Sequence, residues 1–198
     1  MKTQEKKQKR VQPKEESLSY TVEVRDKEGR VLQRISAPSR SYVQQWNQLI
    51  NVHASQVGKT VKDIGGVDRT ATPSHHLLRA DAGIGIVVNG IRVGKGTTAV
   101  AITDVALESP CDEGTDTDEF NHQLVEFTEP SVIGSTCSFT IRRTMINNSG
   151  ATITGIKEIG CYHKYSYTFM SFRDVLPSPV SVPHGGSITV TYTLKVTV

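Results

Sequence analysis

Long apolar runs are missing from this 198-residue chain. None approaches the ~20 residues of a membrane-spanning helix, so no helical membrane association is expected. The N-terminus "MKTQEKKQKRVQPKEES" also lacks an apolar h-region, which excludes a secretory signal and implies synthesis in the cytosol. Aromatics are scarce at 6%, with one tryptophan, and hydrophobic residues make up only 36%. Much of the polar sequence must then face solvent or lie in loops. Cysteine is scarce too: Cys111, Cys137 and Cys161 are an odd number without CxxC spacing, which argues against a disulfide framework. Cys137 and Cys161 fall in strand-like segments and read as small buried hydrophobes; a bridge between them is geometrically open. At this length one domain, or one domain plus an arm, builds an ordinary core without a disulfide or metal staple.

Net charge is only +3, but it is unevenly placed. Lys2, Lys6, Lys7, Lys9, Arg10 and Lys14 face one acid, Glu5, across residues 2–14. Residues 104–119 hold Asp104, Glu108, Asp112, Glu113, Asp116, Asp118 and Glu119 with no base. Residues 1–17 lack periodicity and read as a flexible basic arm. Residues 18–198 read as a single domain.

"SYTVEVRDKEGRVLQRI" alternates Tyr20, Val22 and Val24 on one face, then turns at Asp26–Gly29: a hairpin, with Gly29 at the positive-φ position. One amphipathic helix is expected over about 40–54, with Ser41 and Gln44 in capping-box spacing. Its apolar stripe is Tyr42, Val43, Trp46, Leu49 and Ile50, and Trp46 reads as its anchor on a sheet. From Thr60 the period is two. "TVKDIGG", "IGIVVNGIRVGKG", "TAVAITDVAL", "HQLVEFTEPSV", "STCSFTIRRTMI", "ATITGIKEIGCY", "YTFMSFRDV" and "SITVTYTLKVTV" all read as strands. Their spacing, with turn residues between, predicts an all-β fold, an antiparallel β-sandwich of jelly-roll or immunoglobulin-like type. The last strand is the clearest: Ile188, Val190, Tyr192, Leu194, Val196 and Val198 share one face. Asn147-Asn148-Ser149 matches a glycosylation acceptor, but flanking alternation and Gly150 favour a hairpin turn.

Catalytic constellations are thin. His75-His76 sits in a loop-like segment, its rings expected to diverge, while His122, His163 and His184 are scattered. HExxH, CxxC and a nucleophile elbow are all absent, so no enzyme and no cofactor are expected. "GIRVGKGT" lacks Walker spacing, and Gly90, Gly94 and Gly96 read as turn and bulge positions. Asp112, Asp116 and Asp118 are a calcium candidate that fails the EF-hand pattern. The competing reading makes Asp112, Glu113, Asp116, Asp118 and Glu119 a docking surface for Lys6, Lys7, Lys9 and Arg10 of a neighbouring copy. The arm's bases could also neutralise a few phosphates, a nonspecific nucleic-acid contact at most.

Three stretches carry a resemblance: "GIVVNGIRVGKGTTAVAITDVALESPCDEGTDTDEFNHQLVEF", "FTIRRTMINNSGATITGIKEIGCY" and "SFRDVLPSPVSVPHGGSITVTYTLKVTV". Together they resemble structural proteins of tailed-bacteriophage virions over about residues 20–198. The sequence departs from that pattern in an insertion-like Asn89–Val93 and in extra aromatics within "GCYHKYSYTFMSF". The resemblance implies a non-enzymatic capsid-decorating, neck or tail-associated component, located in the virion and present in many copies. It would form a homo-oligomer or bind other virion structural proteins. Arg173-Asp174 would be structural, through local ion pairs or turn hydrogen bonds. The alternative is a receptor- or glycan-binding module of a tail or fibre, using Tyr162, Tyr165, Tyr167 and Phe169 for sugar stacking.

Overall fold

The computed structural model describes residues 17–39 and 41–197. The basic candidates Lys6, Lys7, Lys9 and Arg10 lie outside the described residues. Strand β1 (Ser17–Arg25) turns back into β2 (Val31–Ser39) and is followed by helix α1 (Gln44–Ser55). The remaining strands are β3 (Lys59–Lys62), β4 (Asp68–Ala71), β5 (Gly90–Gly94), β6 (Asn121–Phe127), β7 (Ser131–Ile133), β8 (Thr136–Ile146), β9 (Ile153–Lys164), β10 (Thr168–Val182) and β11 (Ser187–Thr197). All pairings between these strands are antiparallel. The larger sheet runs β2-β1-β11-β8-β6, with β7 also on β8; a second runs β10-β9-β5, and β3-β4 form a small hairpin.

The all-β expectation holds, because period-two strands bury one face each. Leu18, Tyr20, Val22 and Val24 of β1 and Ile188, Val190, Tyr192 and Leu194 of β11 are buried against Ile91, Val93, Ile159, Cys161 and Phe172 of the second sheet. The first hairpin forms as expected, with Gly29 at φ +82° and the Asp26 carboxylate accepting from the amides of Glu28 and Arg30.

Several local expectations are corrected. Helix α1 has Val43 at its N-cap without a side-chain cap. Ser41 is buried and bonds the Ser39 hydroxyl instead, 2.7 Å away, beside Asp174. Ile50 is exposed while Val52 and Gln45 are buried, because the helix turns Leu49 and Val52 toward Val61, Ala71, Leu77 and Phe169. Trp46 does pack on the main core, its ring 5.2 Å from that of Phe172.

Residues 97–106 form no strand, and Ile102 is exposed; their alternation had no sheet to bury against. Only Gly90–Gly94 of "IGIVVNGIRVGKG" is a strand. The carbonyls of Gly83, Ile86 and Asn89 are drawn instead to the buried Arg143 guanidinium, which also binds those of Ile91 and Gln123. "YTFMSFRDV" continues to Val182 with register shifts around Pro177 and Pro179, since proline cannot donate to the ladder. The segment at Asn147–Gly150 is no hairpin turn, because β8 and β9 belong to different sheets. It is a crossing between layers. All three cysteines are free, and Cys137 is only half-buried. Among the described residues no helix is long and apolar enough to cross a membrane.

Candidate functional site

The acidic stretch finds its bases in other elements. From β5, Arg92 donates to Asp112 at 2.7 Å and to the Cys111 carbonyl, and Lys95 pairs with Asp118 at 2.5 Å. Glu113 accepts from the His122 amide at 2.8 Å and lies 2.9 Å from its Nδ1. Burial, aided by the Arg143 charge, pushes His122 down to about 4, so it stays neutral. Glu119 accepts from the Asp116 amide. Asp112, Asp116 and Asp118 therefore do not converge, and among the described residues no three His, Cys, Asp or Glu side chains are grouped to hold a metal.

A second node lies where loop 95–111 covers the second sheet. Glu158 of β9, fully buried, accepts from the amides of Gly96, Glu108 and Ser109 and from Arg173 Nε. Arg173 also reaches Asp104 at 2.8 Å and the Thr98 carbonyl at 3.1 Å. Its neighbour Asp174 points to the opposite face and accepts from Ser39 and Tyr192. Arg173 and Asp174 are mid-strand, and instead of local ion pairs or turn hydrogen bonds they bind partners remote in sequence.

Among the described residues, the apolar face is left uncovered at one end of the larger sheet. Val132, Cys137 and Val196 stand in one cross-strand row, and Leu194 shares the Val196 face two residues along. The next row holds Leu18, Phe139 and Leu194, and the next Tyr20, Phe127, Ile141 and Tyr192. Leu18, Tyr20 and Tyr192 are buried, yet Val132 is 71% exposed and Val196 and Phe127 are each 48%. Trp46, Cys137, Phe139, Leu194 and Val196 line a cleft of about 220 Å³ here. Behind it is a more enclosed cavity of about 270 Å³, walled by Trp46, Phe139, Ile141, His163, Phe172 and Leu194 among others. Strand β1 starts at Ser17 opposite Lys195, so the N-terminal sequence joins the sheet at this same end.

No protein-family model, curated protein or solved structure significantly matches this chain.

The aromatic segment near residue 165 is divided by the fold. Tyr162 and Phe169 are core residues, and the Tyr162 hydroxyl accepts from the Leu107 amide at 2.8 Å. Only Tyr165 and Tyr167 are exposed, and Tyr167 lies under the Arg69 guanidinium at 4.7 Å. Contrary to expectation, the His75 and His76 rings lie together, with centroids 3.9 Å apart. Sequence reasoning missed Glu158, His163 and Trp46 as neighbours of a cavity or polar node. An acid and a histidine inside otherwise apolar strand patterns were the only available signal.

Proposed function

We propose that this protein is a non-enzymatic structural subunit of a tailed-phage virion, joining capsid, neck or tail subunits through its β-sandwich and N-terminal arm. The observation that carries the reading is the uncovered end of the larger sheet. An apolar row that passes from core to solvent without a covering layer is the kind of patch that marks a protein contact. Strand β1 begins at that end of the sheet, at Ser17, so an arm preceding it and the exposed row can engage one neighbour. The ionisable groups of the acidic stretch are mostly engaged internally, which favours assembly over catalysis.

The finer class belongs to the same proposal. Strands β8 and β9 pair with β11 and β10 respectively, like one ribbon folded across both layers, which favours a jelly-roll over an immunoglobulin-like order. Virion localisation and a homo-oligomeric state, or binding to other virion proteins, follow from the reading. A glycan-binding module is less favoured, since two of its four proposed aromatics are core residues.

Analytical ultracentrifugation of the full chain over a range of salt and protein concentrations tests the proposal. Wild type is expected to self-associate or to co-sediment with virion subunits, and Val132→Asp with Val196→Asp is expected to abolish both. A wild-type chain that stays monomeric and binds no virion subunit would overturn it.

A further inference from the structure

Residues 83–89, which form no strand, expose the aliphatic side chains of Ile84, Ile86 and Val88, and Ile84 is 66% exposed. Single exposed apolar residues are ordinary, but a cluster in one short loop marks a contact. The loop tip is a β-turn, with the Ile86 amide donating to the Gly83 carbonyl at 3.3 Å. Gly85 holds its third position at φ +73°, the type II signature, which sets Ile84 at the corner. The turn is held from behind. Arg143, fully buried, donates to the Gly83 and Ile86 carbonyls at 3.2 and 2.6 Å, and the Gly85 amide donates to the His122 carbonyl at 2.9 Å. Charge-assisted bonds fix this backbone in advance, so burying Ile84 against another surface costs little further ordering.

The same molecule carries a receptor of matching polarity. The cleft lined by Trp46, Phe139, Leu194 and Val196 holds about 220 Å³, more than the roughly 150 Å³ of an apolar cavity that takes up benzene. It has room for the sec-butyl side chain of an isoleucine. The one charged residue in its lining is the exposed Lys195, whereas a Cβ on Gly85 would lie 3.8 Å from Glu113 Oε1. The two surfaces therefore bring opposite charges to their rims. The turn does not reach the cleft of its own chain. It joins the larger sheet at His122, opposite Met145 of β8, while Cys137 and Phe139 of that strand line the cleft. The run from Phe139 to Met145 spans about 20 Å at the rise of an extended strand.

We propose that the Gly83–Ile86 turn of one copy seats Ile84 in the Trp46, Phe139, Leu194 and Val196 cleft of the next copy. The inference rests on the assembly reading and names its partner as a second copy of this chain. Turn and cleft lie toward opposite ends of β8, so the contact is head-to-tail. Its repetition builds a ring if the rotation closes and a filament if it does not.

Two variants each remove one half of the contact. Ile84→Asp and Val196→Asp, both at exposed positions, are each expected to weaken self-association of the full chain by about thirtyfold or more, the loss that follows truncation of a central contact. Sedimentation velocity reads it. Mixed in equal amounts, the two are expected to form a dimer that grows no further, because the intact turn of Val196→Asp fits the intact cleft of Ile84→Asp. Emission of Trp46, the single tryptophan, should change with concentration in wild type and in the mixture, and in neither variant alone. Should a variant fail to fold, Ile84→Ser or Val196→Ser takes its place. Self-association that survives Ile84→Asp, or a mixture that stays monomeric, would overturn this contact and leave the assembly reading standing. So would a wild-type chain that binds another virion subunit but not itself. A wild-type chain that does neither sinks both.

Discussion

Asn147 is fully buried, and its amide group donates to the carbonyls of Ala151 and Val182, each at 2.8 Å. Its side-chain oxygen accepts from the Ser149 amide and hydroxyl, while its backbone exchanges bonds with Gly185 and Gly186. One side chain thus ties the β8–β9 crossing to the β10–β11 turn. The amide nitrogen that a glycan would need is committed to two carbonyls, so the acceptor motif is closed in the folded protein. Neighbouring Asn148 is exposed, and its side-chain amide donates to Asn121 Oδ1. Asn147→Ala is expected to cost about 2–4 kcal/mol in urea denaturation by orphaning buried carbonyls. Asn148→Ala should stay within about 0.5 kcal/mol. Equal losses would show that burial of Asn147 is not what matters. The motif was legible in sequence; its role was not, because the Val182 carbonyl is 35 residues away.

Loop 95–111 illustrates what an element owes to glycine. A Cβ on Gly94 would lie 2.5 Å from the Ser109 carbonyl oxygen, and one on Gly96 would lie 2.6 Å from Glu158 Oε1 and 2.5 Å from Glu108 Cβ. These positions, read from sequence as turns or bulges, are instead close approaches that let the loop settle on the carboxylate of Glu158. Gly96→Ala is expected to destabilise by about 1–3 kcal/mol through overpacking, measured by chemical denaturation. Gly83→Ala, whose Cβ meets only Ile86 Cγ1 at 3.9 Å, should be near neutral. If Gly96→Ala is as mild as Gly83→Ala, the loop is not held through Glu158. The alternation in residues 97–106 looked like a strand because local pattern does not register which segment already occupies the sheet edge.

Across the whole molecule, two buried neutral histidines contribute to the pH response between about pH 6.5 and 4. Burial lowers both His122 and His163 from 6.5 to about 4. Between those values the unfolded chain binds protons that the native state refuses, so the histidine contribution to stability falls as pH drops from about 6.5 and levels off below about 4. Asp26, Asp63, Glu108 and Glu113, all held below the usual carboxylate range, add further loss in acid. The linkage is worth roughly 3 kcal/mol per histidine at most. Asp174 works the other way, since burial raises it and its penalty is relieved on acidification. Urea melts across this range should show a net decline, and His163→Leu should flatten it. An unchanged slope in that variant would exclude His163 as a source. Charge tells a similar story at this scale, because the baseless run of residues 104–119 is answered by Arg92, Lys95 and Arg173.

What the sequence determined by itself was whatever depends on neighbours along the chain. That covers the alternating faces of β1, β8 and β11, the Gly29 hairpin, the existence of one helix, and the all-β class. Tertiary structure alone decided which strands share a sheet, why Gly83–Asn89 bends toward Arg143, where Glu158 and His163 are buried, and that the row from Val132 to Val196 runs out beyond its cover. Side-chain periodicity is a short-range property of the backbone. Pairing, coverage and polar satisfaction are set by contacts between residues far apart in sequence, which no local pattern records.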